Sequence, residues 1–301
     1  MNILVTGGSG MVGKALQKLK PNWIYLSSKD VDLRNYTSTF NCILKYNPRI
    51  IIHLAANVGG LFKNQNHQSD MLFDNLSMNM NVVKICGLLN IRLICCLSTC
   101  IFPDNTTYPL TEGMLHDGPP HSSNFGYSYA KRMMEVMCAS FPALNYTCLI
   151  PCNIYGLYDN FNLESGHVVP SIIHKAYIAK QDHTPIHVFG TGQPLRQFIY
   201  SSDVAKIIIR VVWLENAPKK IIISPIEEYN IHYLVKTIAD SYQVKYTFDN
   251  DNTKDGQYKK TCDNQLLMSL FPDFKFTSLK DGLNKTMDWF DANYGEKCVR
   301  I

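Results

Sequence analysis

The sequence predicts an α/β protein built on a doubly wound parallel sheet, with a smaller, mostly C-terminal α/β unit beside it. Two observations carry that reading. A short apolar run from Ile3 to Thr6 ends in Gly7-Gly8-Ser9-Gly10-Met11-Val12-Gly13, after which Ala15, Leu16 and Leu19 recur at helical spacing, giving strand, glycine turn, helix. Further β-branched and aromatic runs follow at 23–26, 50–54, 93–97 and 147–150, separated by segments long enough to hold helices. Strands joined through helices need crossover connections, so the sheet is expected to be parallel.

Three stretches depart from this rhythm. Residues 103–125 carry Pro103, Pro109, Gly113, Gly118, Pro119 and Pro120, and residues 182–197 carry Pro185, Gly190, Gly192 and Pro194. The third, 249–260, is polar and poor in strand formers. Long irregular segments in a compact domain are usually functional, so these are expected to be the lips of a ligand cleft. After Gly156 the alternation weakens. The predicted organisation is one domain over 1–156 plus about 197–228, and a second over about 157–196 plus 229–301. Asp203 is expected to cap a helix over 204–214.

Composition excludes several classes of protein. A chain of 301 residues, 46% apolar and 18% charged, is ordinary globular material and not a disordered tail or fibre. A net charge of +4 without dense basic clusters argues against a nucleic-acid partner but not against a small anion. The opening Met1-Asn2-Ile3-Leu4-Val5 has no basic leader and is expected to start a strand, not a signal peptide. The longest apolar runs, 93–102 and 207–214, fall short of the roughly 18 residues of a membrane span. The ten cysteines form no C-x-x-C and the nine histidines no H-x-x-x-H on a predicted helix. No metal is assigned, and reduced thiols in a soluble cytoplasmic protein are the expectation.

The window Gly8-Ser9-Gly10-Met11-Val12-Gly13 satisfies G-x-G-x-x-G, and Gly7, Gly10 and Gly13 satisfy G-x-x-G-x-x-G. Either pattern alone is weak. Placed between an N-terminal strand and a helix, it lets backbone approach a pyrophosphate at a helix N-terminus, as in a Rossmann-type dinucleotide site. Which dinucleotide depends on the end of the second strand, where an acid suits a ribose hydroxyl and a cation a 2′-phosphate. Ser27, Ser28 and Lys29 come first there and Asp30 follows, which favours NADP over NAD. The alternative is that Lys29 is merely solvated and Asp30 turns inward.

Tyr127 and Lys131 stand four residues apart in Tyr127-Ser128-Tyr129-Ala130-Lys131, on one face of a helix. A phenol has a reference pKa of about 10, and an adjacent ammonium stabilises its anion, so the pair suits proton delivery near neutrality. Ser98 ends the strand Leu93-Ile94-Cys95-Cys96-Leu97, where open α/β sheets bind ligands.

With these features, and Ala55-Ala56 after a strand, the sequence resembles the extended short-chain dehydrogenase/reductases. Five segments narrow the likeness: Ser98-Thr99-Cys100-Ile101-Phe102-Pro103, 124–132, Asp159-Asn160-Phe161-Asn162, Gly166-His167-Val168-Val169-Pro170 and Arg196-Gln197-Phe198-Ile199-Tyr200. They are similar to the GDP-L-fucose synthase family, from Asn2 to about Tyr294, with Cys100 and His167 specific to it.

The resemblance implies that GDP-4-keto-6-deoxy-D-mannose is inverted at C3 and C5 and then reduced at C4 by NADPH. A C4 carbonyl acidifies the neighbouring C–H groups, so inversion needs a base and an acid on opposite faces. Thiol and imidazole, with reference pKa values of about 8.5 and about 6.5, titrate close enough to neutrality to serve. By resemblance Cys100 is the base and His167 the acid. Tyr127 donates the proton in reduction, Lys131 lowers its pKa and holds the nicotinamide ribose, and Ser98 bonds the carbonyl oxygen. Ala55, Ala56 and Asn153 border cofactor or sugar, and Lys175, Arg196 and Lys260 meet the diphosphate or adjoining sugars.

Two positions depart from the family. Phe189 stands where tryptophan is usual, losing an indole N–H, and Cys152 stands where threonine is common, losing a hydroxyl. The likeness also implies a homodimer formed through helices at 71–89 and 127–141. It assigns the first predicted domain to NADP and the second to the sugar nucleotide. The rivals are a 4-epimerase or dehydratase that recycles NAD, and a dinucleotide-sensing binding protein. Thr99-Cys100 in place of the dehydratase Asp-Glu argues against a dehydratase, and the retained Tyr127–Lys131 pair against the binding protein.

Overall fold

A computed structural model describes residues 2–301. The first half alternates strand and helix: β1 (Ile3–Thr6), α1 (Met11–Leu19), β2 (Ile24–Leu26), α2 (Tyr36–Tyr46), β3 (Ile50–His53), α3 (Leu61–Asn66), α4 (Gln68–Leu89), β4 (Arg92–Cys96), α5 (Phe125–Ala139) and β5 (Tyr146–Pro151). There follow β6 (Asn153–Tyr155), α6 (Val168–Asp182), β7 (Ile186–Val188), β8 (Leu195–Arg196), β9 (Phe198–Tyr200), α7 (Ser201–Val212) and β10 (Lys220–Ile223). The chain ends with β11 (Tyr229–Asn230), α8 (Ile231–Tyr242), β12 (Tyr246–Phe248), α9 (Gln265–Leu270) and α10 (Leu279–Asn293).

Six strands pair in parallel in the order β10-β5-β4-β3-β1-β2. From β1 the chain moves out to β2 and then returns to the other side of β1 for β3. That reversal leaves a crevice at the C-terminal ends of β1 and β3, the place where such sheets bind ligands. Because helices cover both faces, the central strands are apolar on both sides. Along β1, Leu4 points into the core shared with α4 and α5, whereas Ile3 and Val5 point to the core with Leu16 of α1 and Val204, Ile207 and Ile208 of α7. The sixth strand, β10, lies beyond the expected runs. Its Ile221-Ile222-Ile223 pairs with β5 although 68 residues lie between Pro151 and Lys220.

A separate core gathers Tyr155, Phe161, Ile173, Leu234, Leu283 and Phe290 from β6, α6, α8, α10 and the loop after β6. Small two-stranded pieces border it: β7 with β12 and β6 with β9 in parallel, and β8 with β11 antiparallel.

Asp203 does not cap α7. The helix starts earlier, at Ser201 with Tyr200 as its N-cap, because β9 runs straight into it. Asp203 is buried within the first turn, where it accepts the Thr277 N–H at 2.6 Å and lies 2.9 Å from the Lys206 ammonium. All ten cysteines are free thiols. Among the described residues no helix is long and apolar enough to cross a membrane.

Candidate active site

A cavity of about 920 Å³ opens at the crevice and is walled by both parts of the chain. Every candidate site residue named above lines it except Lys29.

The glycine turn is shaped by close packing. Gly7 has φ +70°, and a Cβ there would stand 2.7 Å from the Ala55 nitrogen. A Cβ on Gly13 would stand 2.4 Å from the Gly7 carbonyl oxygen. Gly10, the N-cap of α1, offers no side chain to its helix, so the first N–H groups, those of Met11 and Val12 among them, are left for a ligand in the cavity. This cradle fits a pyrophosphate.

At the end of β2, the Asp30 carboxylate accepts both the N–H and the hydroxyl of Ser27 at 2.7 Å, and these bonds hold it below the usual carboxylate range. Asp30 is thus turned back on its own loop. Lys29 is not among the residues lining the cavity; its backbone N–H donates to Ser27 Oγ at 3.2 Å. Arg34 also lines the wall, 2.9 Å from Asp32 and 3.1 Å from Asp74.

At the end of β4, Ser98 caps a short 3₁₀ turn, Thr99–Ile101, accepting the Cys100 N–H at 3.4 Å. Helix α5 clamps this turn at two points and the end of β4 before it at a third. Ser128 Oγ donates to the Cys100 carbonyl at 2.9 Å, Arg132 Nε to the Ile101 carbonyl, and Lys131 Nζ to the Cys96 carbonyl at 2.7 Å. The Tyr127 phenol, with the Lys131 ammonium 5.8 Å from its ring centre, is pushed well above its ordinary value by burial and by the Cys100 and Cys96 thiols. Burial lowers the Lys131 ammonium below its ordinary value, and here it is engaged at the Cys96 carbonyl.

His167 precedes α6 and presents its ring to the cavity. Its loop is pressed against the loop after β3: Gly60 N–H donates to the Ser165 carbonyl at 2.9 Å, and a Cβ on Gly60 would stand 2.2 Å from the Gly166 oxygen. Although the ring is open to the cavity by area, surrounding protein and the positive charges of Lys63, Arg300 and Lys260 hold its pKa down at about 4. It is neutral at pH 7. Asp159, also on the wall, is pushed up to about 7 by burial, and its Oδ2 has no partner.

Two of the remaining cations, Lys175 and Arg196, are anchored by backbone oxygens. Lys175 Nζ donates to the His187 carbonyl at 3.0 Å and lies 5.0 Å from the Phe189 ring centre, with Lys254 at 4.8 Å. Arg196 Nη1 donates to the Leu195 carbonyl at 2.7 Å and the Tyr258 carbonyl at 3.2 Å, and burial lowers it to about 10. Lys260 is lowered to about 8 by burial and by Arg196. Asn153 Nδ2 donates to the Gln197 carbonyl at 2.9 Å, and Cys152 beside it is a buried thiol pushed up to about 12.

Sequence reasoning missed the polar network that sets these pieces together. His53 Nδ1 lies 2.7 Å from Thr6 Oγ1 and its Nε2 3.0 Å from Asn79 Oδ1, while Asn79 Nδ2 donates to the Ala130 carbonyl at 3.3 Å. One turn away, Asn75 exchanges two bonds of 2.9 Å with the Asn57 backbone. A signal existed, since Asn75 and Asn79 are polar residues one turn apart on the buried face of a helix.

The NAD dependent epimerase/dehydratase family model matches residues 3–231. GDP-L-fucose synthase of Dictyostelium discoideum is 42% identical over 97% of this chain and 96% of its own. Probable GDP-L-fucose synthase of Drosophila melanogaster is 40% identical over 98% of each. The crystal structure of a GDP-L-fucose synthetase from Naegleria fowleri bound to NADP superposes with a TM-score of 0.91 at 40% identity, covering 99% of this chain and 94% of that one. The chain belongs to the NAD dependent epimerase/dehydratase family and, within it, to the GDP-L-fucose synthases.

Proposed function

We propose that this protein converts GDP-4-keto-6-deoxy-D-mannose to GDP-L-fucose by 3,5-epimerisation and NADPH-dependent 4-reduction. The observation that carries the reading is that Cys100, His167, Tyr127 and the glycine turn wall the same cavity, with the loops carrying Cys100 and His167 and the glycine turn each held by close backbone contacts. NADPH, when bound, supplies the hydride. The Met11 and Val12 N–H groups take its pyrophosphate, Ser27 and Ser28 lie toward its 2′-phosphate, and Ala55 and Ala56 border the nicotinamide half.

Cys100 removes a proton beside the keto group and His167 returns one from the opposite face. A neutral imidazole gives up its one ring proton far less readily than an imidazolium does. The diphosphate of the substrate, held by Lys175, Arg196 and Lys260, offsets the positive field that depresses His167 and brings its pKa back toward the ordinary range. The substrate thereby helps to charge its own acid. Ser98 then bonds the C4 oxygen, Tyr127 protonates it, and Lys131, released from the Cys96 carbonyl, holds the ribose.

On this reading residues 1–156 with about 197–228 serve the cofactor and the rest serve the sugar nucleotide. The exposed apolar residues Phe73, Met80 and Leu88 of α4 and Phe125, Met133 and Val136 of α5 support a homodimer, and the free thiols support a cytoplasmic setting. The deciding experiment is product analysis by NMR with GDP-4-keto-6-deoxy-D-mannose and NADPH. GDP-L-fucose with NADPH oxidation is expected. Inactivity there, with turnover of a UDP-sugar at catalytic cofactor, would move the assignment to the 4-epimerases.

A further inference from the structure

Three cysteines from separate elements meet in the sheet core, and none of them lines the cavity. Cys95 of β4 and Cys148 of β5 are register partners, with Sγ atoms 3.3 Å apart. Cys138, from the last turn of α5, completes the group, and the three Sγ atoms all lie within 4.8 Å of one another. Each residue is 0% exposed. The sequence spacing hides the cluster, because sheet pairing and not a short motif assembles it.

We propose that Cys95, Cys138 and Cys148 form a binding site for a soft trivalent ion of the arsenite type. A bond of about 2.3 Å from a pyramidal central ion, with its lone pair at the apex, to each of three sulfurs sets those sulfurs roughly 3.4 Å apart. The observed cluster needs only small adjustments to reach that spacing. The group holds no carboxylate or imidazole, so it selects thiophilic ions over hard ones. Charge decides among the thiophiles. In binding arsenous acid, three S–H protons combine with three As–OH groups, three As–S bonds replace three As–O bonds, three waters leave, and no electron is transferred. The resulting trithiolate is neutral. A divalent ion would leave one negative charge and a monovalent ion two, and burial opposes either.

The site is joined to the chemistry through β4. The residue after Cys95 is Cys96, whose carbonyl holds the Lys131 ammonium, and two residues further on is Ser98. Respacing the sulfurs shifts this strand end, so the loaded protein loses activity by a route that does not involve Cys100.

The test is native mass spectrometry of the reduced full-length chain incubated with sodium arsenite. One arsenic per chain, with loss of three protons, is expected in the wild type and in Cys100→Ser, and at least a ten-fold smaller adduct population in Cys138→Ala and Cys148→Ala. X-ray absorption of the wild-type adduct should give three sulfur neighbours, a readout that needs no variant to fold. Cadmium should bind at least ten-fold more weakly. An adduct that survives Cys138→Ala and disappears in Cys100→Ser, or an arsenic with two sulfurs and an oxygen, would overturn the assignment. Cadmium binding as tight as arsenite would overturn the choice of a trivalent ion.

Discussion

At the sheet end of the cavity a ligand meets backbone N–H groups fixed by glycine packing, whereas at the α6 end it meets the long side chains of Lys175, Arg196 and Lys260. The first arrangement tolerates no added atom, as the 2.4 Å approach at Gly13 shows. The second has slack, because a cation on a flexible stem can move and a neighbour can share its load. Between them, the short turn carrying Cys100 is held at two points by α5, and the end of β4 before it at a third. On the proposed function, rigidity is concentrated where cofactor and reacting carbons must be aligned, and adaptability where a diphosphate must be captured.

The sharpest way to break this comparison is at its centre. Cys100→Ser should lower solvent-hydrogen exchange at C3 and C5 by about 10³-fold, with NADPH affinity within about two-fold, as read by NMR and fluorescence titration. Unchanged exchange would remove its role. In the same assay Tyr127→Phe should slow reduction by about 10²-fold or more and inversion far less.

At the sheet end, Gly13→Val should weaken NADPH binding about 100-fold, since its Cβ meets backbone on the Gly7 and Gly8 side and that strand end cannot yield. Near-normal binding would show that the turn is less tightly packed than its geometry requires.

The buried pair His53 and Asp159 offers a test by pH. Burial depresses His53 to about 3, so its contribution to stability is present above about 6.5 and is lost as pH falls, because the unfolded chain takes the proton first. Asp159 is raised to about 7, so its fold takes up a proton before the unfolded chain does, and its contribution to stability grows as pH falls. The two oppose each other between about 6.5 and 4. Relative to wild type, His53→Gln should gain about 2 kcal/mol between pH 7 and pH 5 in urea denaturation, and Asp159→Asn should lose a similar amount. Variants that track the wild type across this range would contradict the assignment of those protons.

The smallest effects belong to the α6 end. Arg196→Lys should raise KM for the sugar nucleotide about ten-fold with kcat little changed, and Phe189→Trp should lower KM by about two- to three-fold by restoring an indole donor. A change in kcat without a change in KM would place either residue closer to the reacting carbons.

Local features were legible. The run Ile3 to Thr6 is the first strand as expected, and the expected strands at 23–26, 50–54, 93–97 and 147–150 agree with β2 to β5 to within a residue at each end, because a doubly covered sheet demands continuous apolar runs. The glycine turn and the Tyr127–Lys131 spacing depend only on neighbours a few residues away. The pairing of β10 with β5, the engagement of Lys131 at Cys96 and the His53–Asn79 bridge were not legible, since each joins residues far apart in sequence.

By itself, then, the sequence determined the parallel α/β class, the pyrophosphate turn and the residue types available for acid–base work, all of which follow from local periodicity, glycine stereochemistry and intrinsic proton affinity. Only the tertiary structure decided which of those groups face one cavity, which are already engaged by carbonyls and where their protons sit. Burial and the fields of distant charges, such as those of Lys63, Arg300 and Lys260 on His167, exist only once the chain is folded.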